Sequence, residues 1–263
     1  MPQLRHIEFK NCIHLPDPPR NEEDVVIMEK LQVLKGVCDF KCSEEVVKRI
    51  PNIKKLSIGY SDIRGTNIDE YYGISNIKLL SKLESLSVSS TYLLTFPQSL
   101  KKLSISKNAK IFEWEEDMLE KMGSLPLLEK LRLGLGHFRA DKWEIVEGQF
   151  PSLKYLRLDF CDGLKHWTTA EDSESIFPRL EHILITFAVW LKNIPCEIGN
   201  ISTLKEIRLI HCNEAVVKSA KEMVDAQVEL QGEQLPFRVL VFVGEDEEEL
   251  KTLAGPNFQV LLI

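Results

Sequence analysis

Apolar residues in the stretch 150–161 follow a fixed spacing. Leucines stand at 153, 156 and 158, and a cysteine follows at 161. Leu156 and Leu158 are two positions apart, so both face one side of a strand, and Leu153 enters from the preceding turn pointing the same way. A single strand of this length cannot bury its apolar side alone. The pattern therefore predicts a unit that needs a copy above it and a copy below it.

The same pattern recurs along the chain. Eight further copies begin at Leu4, Leu31, Ile53, Leu83, Leu100, Leu128, Leu180 and Leu204. In the weaker copy at Leu31, either Gly36 or Val37 takes the last apolar place. Successive copies lie on average about 25 residues apart, within the roughly 20–29 residues of leucine-rich repeats. We therefore expect an α/β fold, an irregular leucine-rich-repeat solenoid or horseshoe with a parallel concave β-sheet and short helices and loops on its convex side.

Capping residues predict two helices between the strands. Ser43 can cap a short helix that Pro51 ends, and two glutamates favour the positive end of that helix. Asn213 can cap a longer helix that runs to about Leu230 with a broad apolar face. We expect this second helix to lie across the last repeat and close the stack.

The pattern changes beyond residue 212. Residues 237–243 and 258–263 are predicted to be strands that form a hairpin-like pair, and the acidic run 245–249 is predicted to be a solvated turn or helix start. We therefore predict about nine repeats in residues 1–212 and a capping helix and strand pair in 213–263. Because no polar cap precedes the first repeat, we also expect the chain to be a piece of a longer protein.

Composition restricts the classes of partner. The chain has 263 residues, of which 44% are hydrophobic and 28% are charged, and its net charge is −7. This acidic balance argues against a nucleic-acid partner. There is no run of 18 apolar residues that could span a membrane, and the N-terminal sequence does not have the pattern of a signal peptide. We expect a cytoplasmic protein.

The cysteines indicate neither a disulfide framework nor a metal site. Three of them, Cys12, Cys161 and Cys212, hold the same position of the repeat, which predicts buried structural thiols. Cys38 and Cys42 have no second pair at the spacing of metal ligands. With Cys196 included, all six are predicted to be reduced, as in a cytosolic compartment.

The histidines give no sign of catalysis. The six of them are scattered among the repeats with no catalytic motif around any one. We therefore predict that the chain is not an enzyme, and we assign no catalytic residue, cofactor or metal.

Five segments carry a resemblance to a known family: 42–58, 96–106, 141–161, 176–185 and 191–212. They resemble the C-terminal leucine-rich-repeat region of plant intracellular immune receptors, of the coiled-coil NB-ARC class typified by late-blight resistance proteins. The resemblance implies a region that recognises a pathogen effector or guarded host protein and holds the nucleotide-binding module (NB-ARC) inactive. The phosphate-loop motif G-x-x-x-x-G-K-[ST] of that module is absent from this sequence.

Two other classes of repeat protein remain open. A substrate-recruiting leucine-rich-repeat domain of an F-box ubiquitin ligase would use the same surface. An extracellular repeat receptor is favoured by the glycosylation acceptor at Asn200, which Ser202 completes, and by residues 191–200, which resemble extracellular plant repeats.

Residues between the leucines alternate onto the opposite face of the predicted sheet. On the later strands they give the candidate partner-binding residues Lys130, Arg132, Tyr155, Arg157, Asp159, His182 and Arg208. Arginine and tyrosine are frequent anchors of protein interfaces. We hypothesise that this later concave face binds an acidic protein surface. The alternative is a solvated row in which the arginines pair with Asp159, Glu181 and Glu206.

Overall fold

A computed structural model describes residues 3–15, 26–60, 68–89, 95–106, 113–114, 116–134, 137–138, 141–170 and 175–263. The chain forms two compact units, Met1–Lys110 and Ile111–Ile263. Each unit is α/β and carries a sheet of parallel strands. This architecture is compatible with the predicted leucine-rich-repeat solenoid.

The first unit is a parallel sheet of strands that pair in chain order. They are β1 (His6–His14), β2 (Val33–Cys38), β3 (Lys55–Gly59), β4 (Ser85–Ser89) and β5 (Lys102–Ile105). Between strands lie the helices α1 (Glu44–Lys48) and α2 (Ile68–Tyr72) and a 3-10 helix (Ile74–Leu79). Ser43 caps α1 by accepting a hydrogen bond from the Val46 amide, as the sequence predicts.

Alternation along these strands follows the predicted pattern. The two apolar residues of each strand, Leu56 and Ile58 on β3 for example, are at most 3% exposed, as are their counterparts on β4 and β5. The first copy is less well buried, because Leu4 is 38% exposed and Ile7 is only half-buried. The predicted alternation of buried and exposed positions is therefore confirmed in this unit, and it is weakest at β1.

A β-bulge resolves the irregular second copy. Val37 is fully buried and pairs with Ile58, so Val37 rather than Gly36 takes the last apolar place. Gly36 is the extra residue, with φ +72°, and a Cβ there would lie 2.3 Å from the carbonyl oxygen of Phe9. Only glycine fits a left-handed position that another backbone approaches so closely.

The second unit adds short outer strands to its main sheet. The main sheet is parallel, in the order β7 (Lys130–Gly134), β10 (Tyr155–Asp159), β12 (His182–Thr186), β13 (Glu206–Ile210), β14 (Arg238–Val243) and β15 (Phe258–Leu262). The outer pairs are β6 (Glu113–Trp114) with β8 (His137–Phe138), and β9 (Lys142–Ile145) with β11 (His166–Thr169). The helices are α3 (Glu116–Gly123), α4 (Glu214–Gln231) and the 3-10 helices Cys196–Asn200 and Glu245–Leu253.

Aromatic residues fill the core between the main sheet and the outer strands. Phe150 and Phe177 precede the prolines that lead into β10 and β12, and both are fully buried. Trp143 on β9 and Trp167 on β11 stack with ring centroids 5.5 Å apart. The outer strands β9 and β11 carry no leucine pattern, so the spacing that finds the main sheet does not mark them.

Helix α4 begins at its predicted cap and is anchored there. The side chain of Asn213 accepts a hydrogen bond from the Val216 amide at 3.0 Å. Its amide nitrogen also contacts the carbonyl oxygens of Ala188, Val189 and Leu191 at 2.7–2.9 Å. One side chain therefore starts the helix and ties down the loop that follows β12.

The last two strands pair as predicted, but they are not hairpin-like. Strand β14 runs parallel to β15 and also parallel to β13, with α4 forming the connection between β13 and β14. A connection that includes a helix is long enough to return the chain to the same edge of the sheet, as a parallel pair requires. Whether residues 213–263 act as a cap stays a prediction.

The prediction that all six cysteines are reduced is wrong for two of them. Cys12 and Cys38 form a disulfide, because β1 and β2 bring their Cα atoms to 5.3 Å, within the usual range. Cys12 is therefore not the buried thiol that its repeat position predicts. Cys161 and Cys212 are buried thiols, as predicted, and Cys42 is a third. Burial raises the pKa of Cys42 to about 12.

Candidate protein-binding face

In-register pairing in the second unit aligns side chains of the main sheet into three rows. The first row is Lys130, Tyr155, His182, Glu206 and Arg238; the second is Arg132, Arg157, Leu184, Arg208 and Leu240; the third is Gly134, Asp159, Thr186, Ile210 and Phe242. These positions alternate with the buried leucines and isoleucines of the core, so they occupy the other face of the sheet. We call this surface the arginine face.

Asp159 is the centre of one charge cluster on the arginine face. Its carboxylate oxygen Oδ2 accepts hydrogen bonds from Nε of Arg132 at 2.7 Å and from Nε of Arg157 at 2.8 Å. The hydroxyl of Thr186 donates to Oδ1 at 2.7 Å. Burial alone would raise the pKa of Asp159, but the bonds from Thr186, Arg157 and Arg132 outweigh burial and hold the pKa below its ordinary value.

Glu206 is the centre of a second cluster of the same design. Nε of Arg208 donates to its Oε1 at 2.5 Å, and Nη2 of Arg238 donates to its Oε2 at 2.7 Å. Burial again raises the pKa of Glu206, and the two guanidinium groups again outweigh burial and keep the pKa below its ordinary value. Both carboxylates are therefore charged at neutral pH.

Each cluster leaves charge at the surface. The two carboxylate side chains are only 5% and 9% exposed. By contrast, the side chains of Arg132, Arg157, Arg208 and Arg238 are 34–58% exposed. Two guanidinium charges against one carboxylate leave one positive charge per cluster. The arginines thus pair within the face and still present cationic surface.

Rings and a lysine continue the first row. The ammonium group of Lys130 lies 5.9 Å from the ring centroid of Tyr155, within the range of a cation–π contact. The Tyr155 ring lies 6.2 Å from that of His182. Lys130 is exposed and both rings are half-buried, so this part of the row offers a cation beside apolar ring surface.

The structure brings all seven predicted residues onto one face, but their environments differ. Asp159 is buried and orients arginines rather than offering surface. The predicted alternative, in which the arginines pair with carboxylates, is correct for Asp159 and Glu206, whereas Glu181 pairs with Lys205 at 2.5 Å. Arg238 is not among the seven predicted residues, because the sequence predicts residues 237–243 as part of a hairpin-like pair rather than as a further parallel strand beside β13. Partner binding by the face stays a prediction.

The arrangement offers recognition chemistry. Across the described part of the chain, no three His, Cys, Asp or Glu side chains come together as a metal site would require. The same residues include no helix both long and apolar enough to cross a bilayer. What the face does contain is fixed cationic and aromatic surface, which suits contact with another macromolecule.

Comparison with known proteins identifies relatives. No protein-family model matches the chain. One putative late blight resistance protein homolog of Solanum demissum is 28% identical over 238 residues, which is 87% of this chain and 29% of that protein. A second homolog from the same plant, R1B-16, is 28% identical over 237 residues, 87% of this chain and 18% of that protein. A third, R1B-11, is 34% identical over 130 residues, 49% of this chain and 10% of that protein.

The chain spans less than a third of the length of these relatives. The resemblance found in the sequence is confirmed: over most of its length, this chain is similar to plant late blight resistance proteins.

Proposed function

We propose that the chain is the leucine-rich-repeat recognition region of a plant intracellular disease-resistance receptor, and that its arginine face binds an acidic surface of a protein partner. The partner is a pathogen effector or a guarded host protein. In the longer receptor the same region also restrains the nucleotide-binding module. The repeats form a solenoid whose concave side is the arginine face, the receptor is cytoplasmic, and the region has no catalytic activity.

The observation that carries this proposal is the surplus positive charge of the two clusters. In each cluster a nearly buried carboxylate binds two guanidinium groups, and the arginine side chains remain 34–58% exposed. An arginine already fixed in place loses less side-chain entropy when a partner binds. Arginine is also among the residues that most often dominate binding energy. The face is therefore pre-organised for carboxylates.

A peptide-display selection on the whole 263-residue chain tests the proposal. We expect the selected peptides to be rich in aspartate and glutamate. We expect Arg132→Gln or Arg208→Gln to weaken their binding about tenfold, which corresponds to ~1.4 kcal/mol. Each substitution leaves the buried carboxylate a second arginine, Arg157 or Arg238, so the fold should survive. Charge reversal would instead place two carboxylates together.

Arg179→Gln is the matched control. Arg179 is exposed, and it lies just before β12 rather than on the arginine face, so its loss removes the same charge from another place. We expect the Arg179→Gln variant to bind the selected peptides as the wild type does. Selected peptides without acidic enrichment, or peptides that bind equally to all the variants, would refute the proposal.

A further inference from the structure

Three stacked rings line the carboxyl edge of the main sheet in the second unit. Phe160, Phe187 and His211 directly follow β10, β12 and β13, whose parallel pairing places their ends at one edge. The ring centroids of Phe160 and Phe187 are 4.3 Å apart with an interplanar angle of 10°. Those of Phe187 and His211 are 5.0 Å apart at 29°. We call these three residues the aromatic edge.

The rings of the aromatic edge are partly exposed to solvent. Phe160 is 40% exposed and Phe187 is 38% exposed, while His211 is half-buried. Stacking covers part of each ring, but it leaves a continuous strip of apolar surface. Contiguous exposed apolar surface bordered by polar residues is typical of sites of protein interaction.

Backbone geometry does not require aromatic residues here. Phe160, Phe187 and His211 have φ of 48°, 53° and 49°, which is the left-handed region that bulky side chains rarely adopt. Asp39 holds the matching position after β2 with φ 52°, which shows that a small polar residue satisfies the same strand exit. The backbone at these three positions is therefore strained, and the strand exit itself does not require a ring.

Burial does not account for the strain either. Phe150 and Phe177 are also left-handed, with φ of 54° and 46°, but both are fully buried, so the core they fill offsets the strain. Phe160 and Phe187 gain only part of that compensation. Exposed rings on a strained backbone are candidates for contact with another molecule.

The aromatic edge is continuous with the cationic part of the arginine face. Phe160 directly follows Asp159, whose carboxylate is bound by Arg132 and Arg157. Phe187 directly follows Thr186, which donates to the same carboxylate. The exposed rings and a cluster with one surplus positive charge therefore share one short stretch of the sheet.

We propose that the aromatic edge and the Asp159 cluster form one composite docking site for an acidic protein segment that carries an aromatic side chain. The carboxylates of the segment lie on the guanidinium groups of Arg132 and Arg157. Its aromatic side chain packs on the faces of Phe160 and Phe187. This inference rests on the proposed recognition function and adds the apolar half of the specificity.

Two polymers of similar length separate the charge contribution from the aromatic contribution. The probes are poly-L-glutamate and a random copolymer of glutamate and tyrosine, each titrated against the whole chain at low salt. We expect the copolymer to bind about tenfold more tightly, because stacking on the edge adds to the charge contacts. Phe187→Asn and Phe160→Asn should each remove most of that difference and leave the affinity for poly-L-glutamate unchanged.

Asparagine suits this test because it tolerates the left-handed backbone, so both variants should fold. Tyr71→Asn, which removes an exposed ring from the first unit, should change neither affinity. Arg132→Gln should weaken both polymers. Thermal unfolding of each variant checks the fold.

The possible outcomes separate the two proposals. If the phenylalanine variants keep the wild-type preference for the copolymer, or if the wild type has no preference, the composite site is wrong while the arginine face stands. If Arg132→Gln weakens neither polymer, or if neither polymer binds, the proposed function fails as well. If the wild type dimerises and Phe187→Asn prevents it, the edge binds a second copy of this chain and the acidic-segment proposal is overturned.

Discussion

The substitution Asp159→Asn removes the charge that fixes two arginines of the face. It keeps the size of the side chain and an oxygen that can still accept from the Thr186 hydroxyl, but it removes the negative charge opposite Arg132 and Arg157. We expect the free energy of unfolding to fall, because the amide nitrogen of asparagine would face guanidinium donors in a site that is 4% exposed.

The magnitude follows from the contacts. A hydrogen bond to a charged group contributes about 1.5–3 kcal/mol, and removing one member of a fully buried ion pair costs about 3–5 kcal/mol. The side chains of Arg132 and Arg157 are 49% and 34% exposed, so solvent screens part of this interaction. We therefore expect a loss of about 2 kcal/mol.

Urea unfolding at pH 7 measures this loss as a lower midpoint with an unchanged dependence on denaturant. Asp162→Asn is the control, since Asp162 is exposed and lies just beyond the strand. We expect the control to stay within about 0.5 kcal/mol of the wild type. An equally small change for Asp159→Asn would refute the reasoning that one buried carboxylate organises the cluster.

The stabilising effect of Asp159 should also depend on pH, in a direction set by its pKa. The pKa of Asp159 is lower in the folded chain than its ordinary value of 3.8. Its contribution is therefore fully present above that value and is lost as the pH falls through the lower pKa of the folded state. The difference in unfolding free energy between wild type and Asp159→Asn should shrink below about pH 4. A difference that persists undiminished at pH 3 would show that charge is not its source.

Three further predictions concern stability. Asn213→Ser should lower the free energy of unfolding, measured in urea, by about 1–2 kcal/mol, because serine keeps the helix cap but loses the hydrogen bonds of the amide group to the preceding loop. Asn213→Ala also loses the cap, so it should lower the free energy of unfolding by ~1 kcal/mol more. Trp143→Ala should cost about 3–5 kcal/mol and abolish the near-ultraviolet circular dichroism of its stack with Trp167; a smaller loss would mean that the outer strands are not part of the core. Cys12→Ser should lower stability by about 3 kcal/mol without reductant, given its separation of 26 residues from Cys38, and should have no effect when the wild type is also reduced.

The leucine pattern predicts the main strands because one face of the sheet is buried. In such a strand, apolar residues at every second position must face the core. At β10, Leu156 and Leu158 are both at most 1% exposed, and the pattern fixes Arg157 on the opposite face. Each strand repeats the pattern of the strand before it, so equivalent positions of neighbouring strands pair with each other. The predicted residues of the arginine face therefore lie together. The predicted alternative of pairing with carboxylates was also correct for two of its three carboxylates.

Other features depend on contacts between residues far apart in the sequence, which a local pattern of apolar residues does not predict. The strands β9 and β11 are held by Trp143 stacking on Trp167, a contact between residues of two different repeats. The disulfide depends on the distance between neighbouring strands at β1, where the repeat pattern is weakest. The parallel course of β14 depends on the path of α4, so the position of Arg238 beside Glu206 could not be predicted.

The aromatic edge was missed for a different reason. In the sequence, Phe160 and Phe187 follow apolar strands and look like further core residues. In the structure both residues lie just beyond a strand end with a left-handed backbone, and their rings remain partly exposed. A backbone angle of this kind is not encoded by residue type, since the related position after β2 holds Asp39.

A crystal structure of the chain bound to an acidic peptide from the display selection is the most direct test of the recognition surface. We expect the peptide to lie across β7, β10 and β12, with its carboxylates on Arg132 and Arg157. A peptide seated instead on α4 or on the outer strands β9 and β11, with the arginine face uncovered, would contradict it.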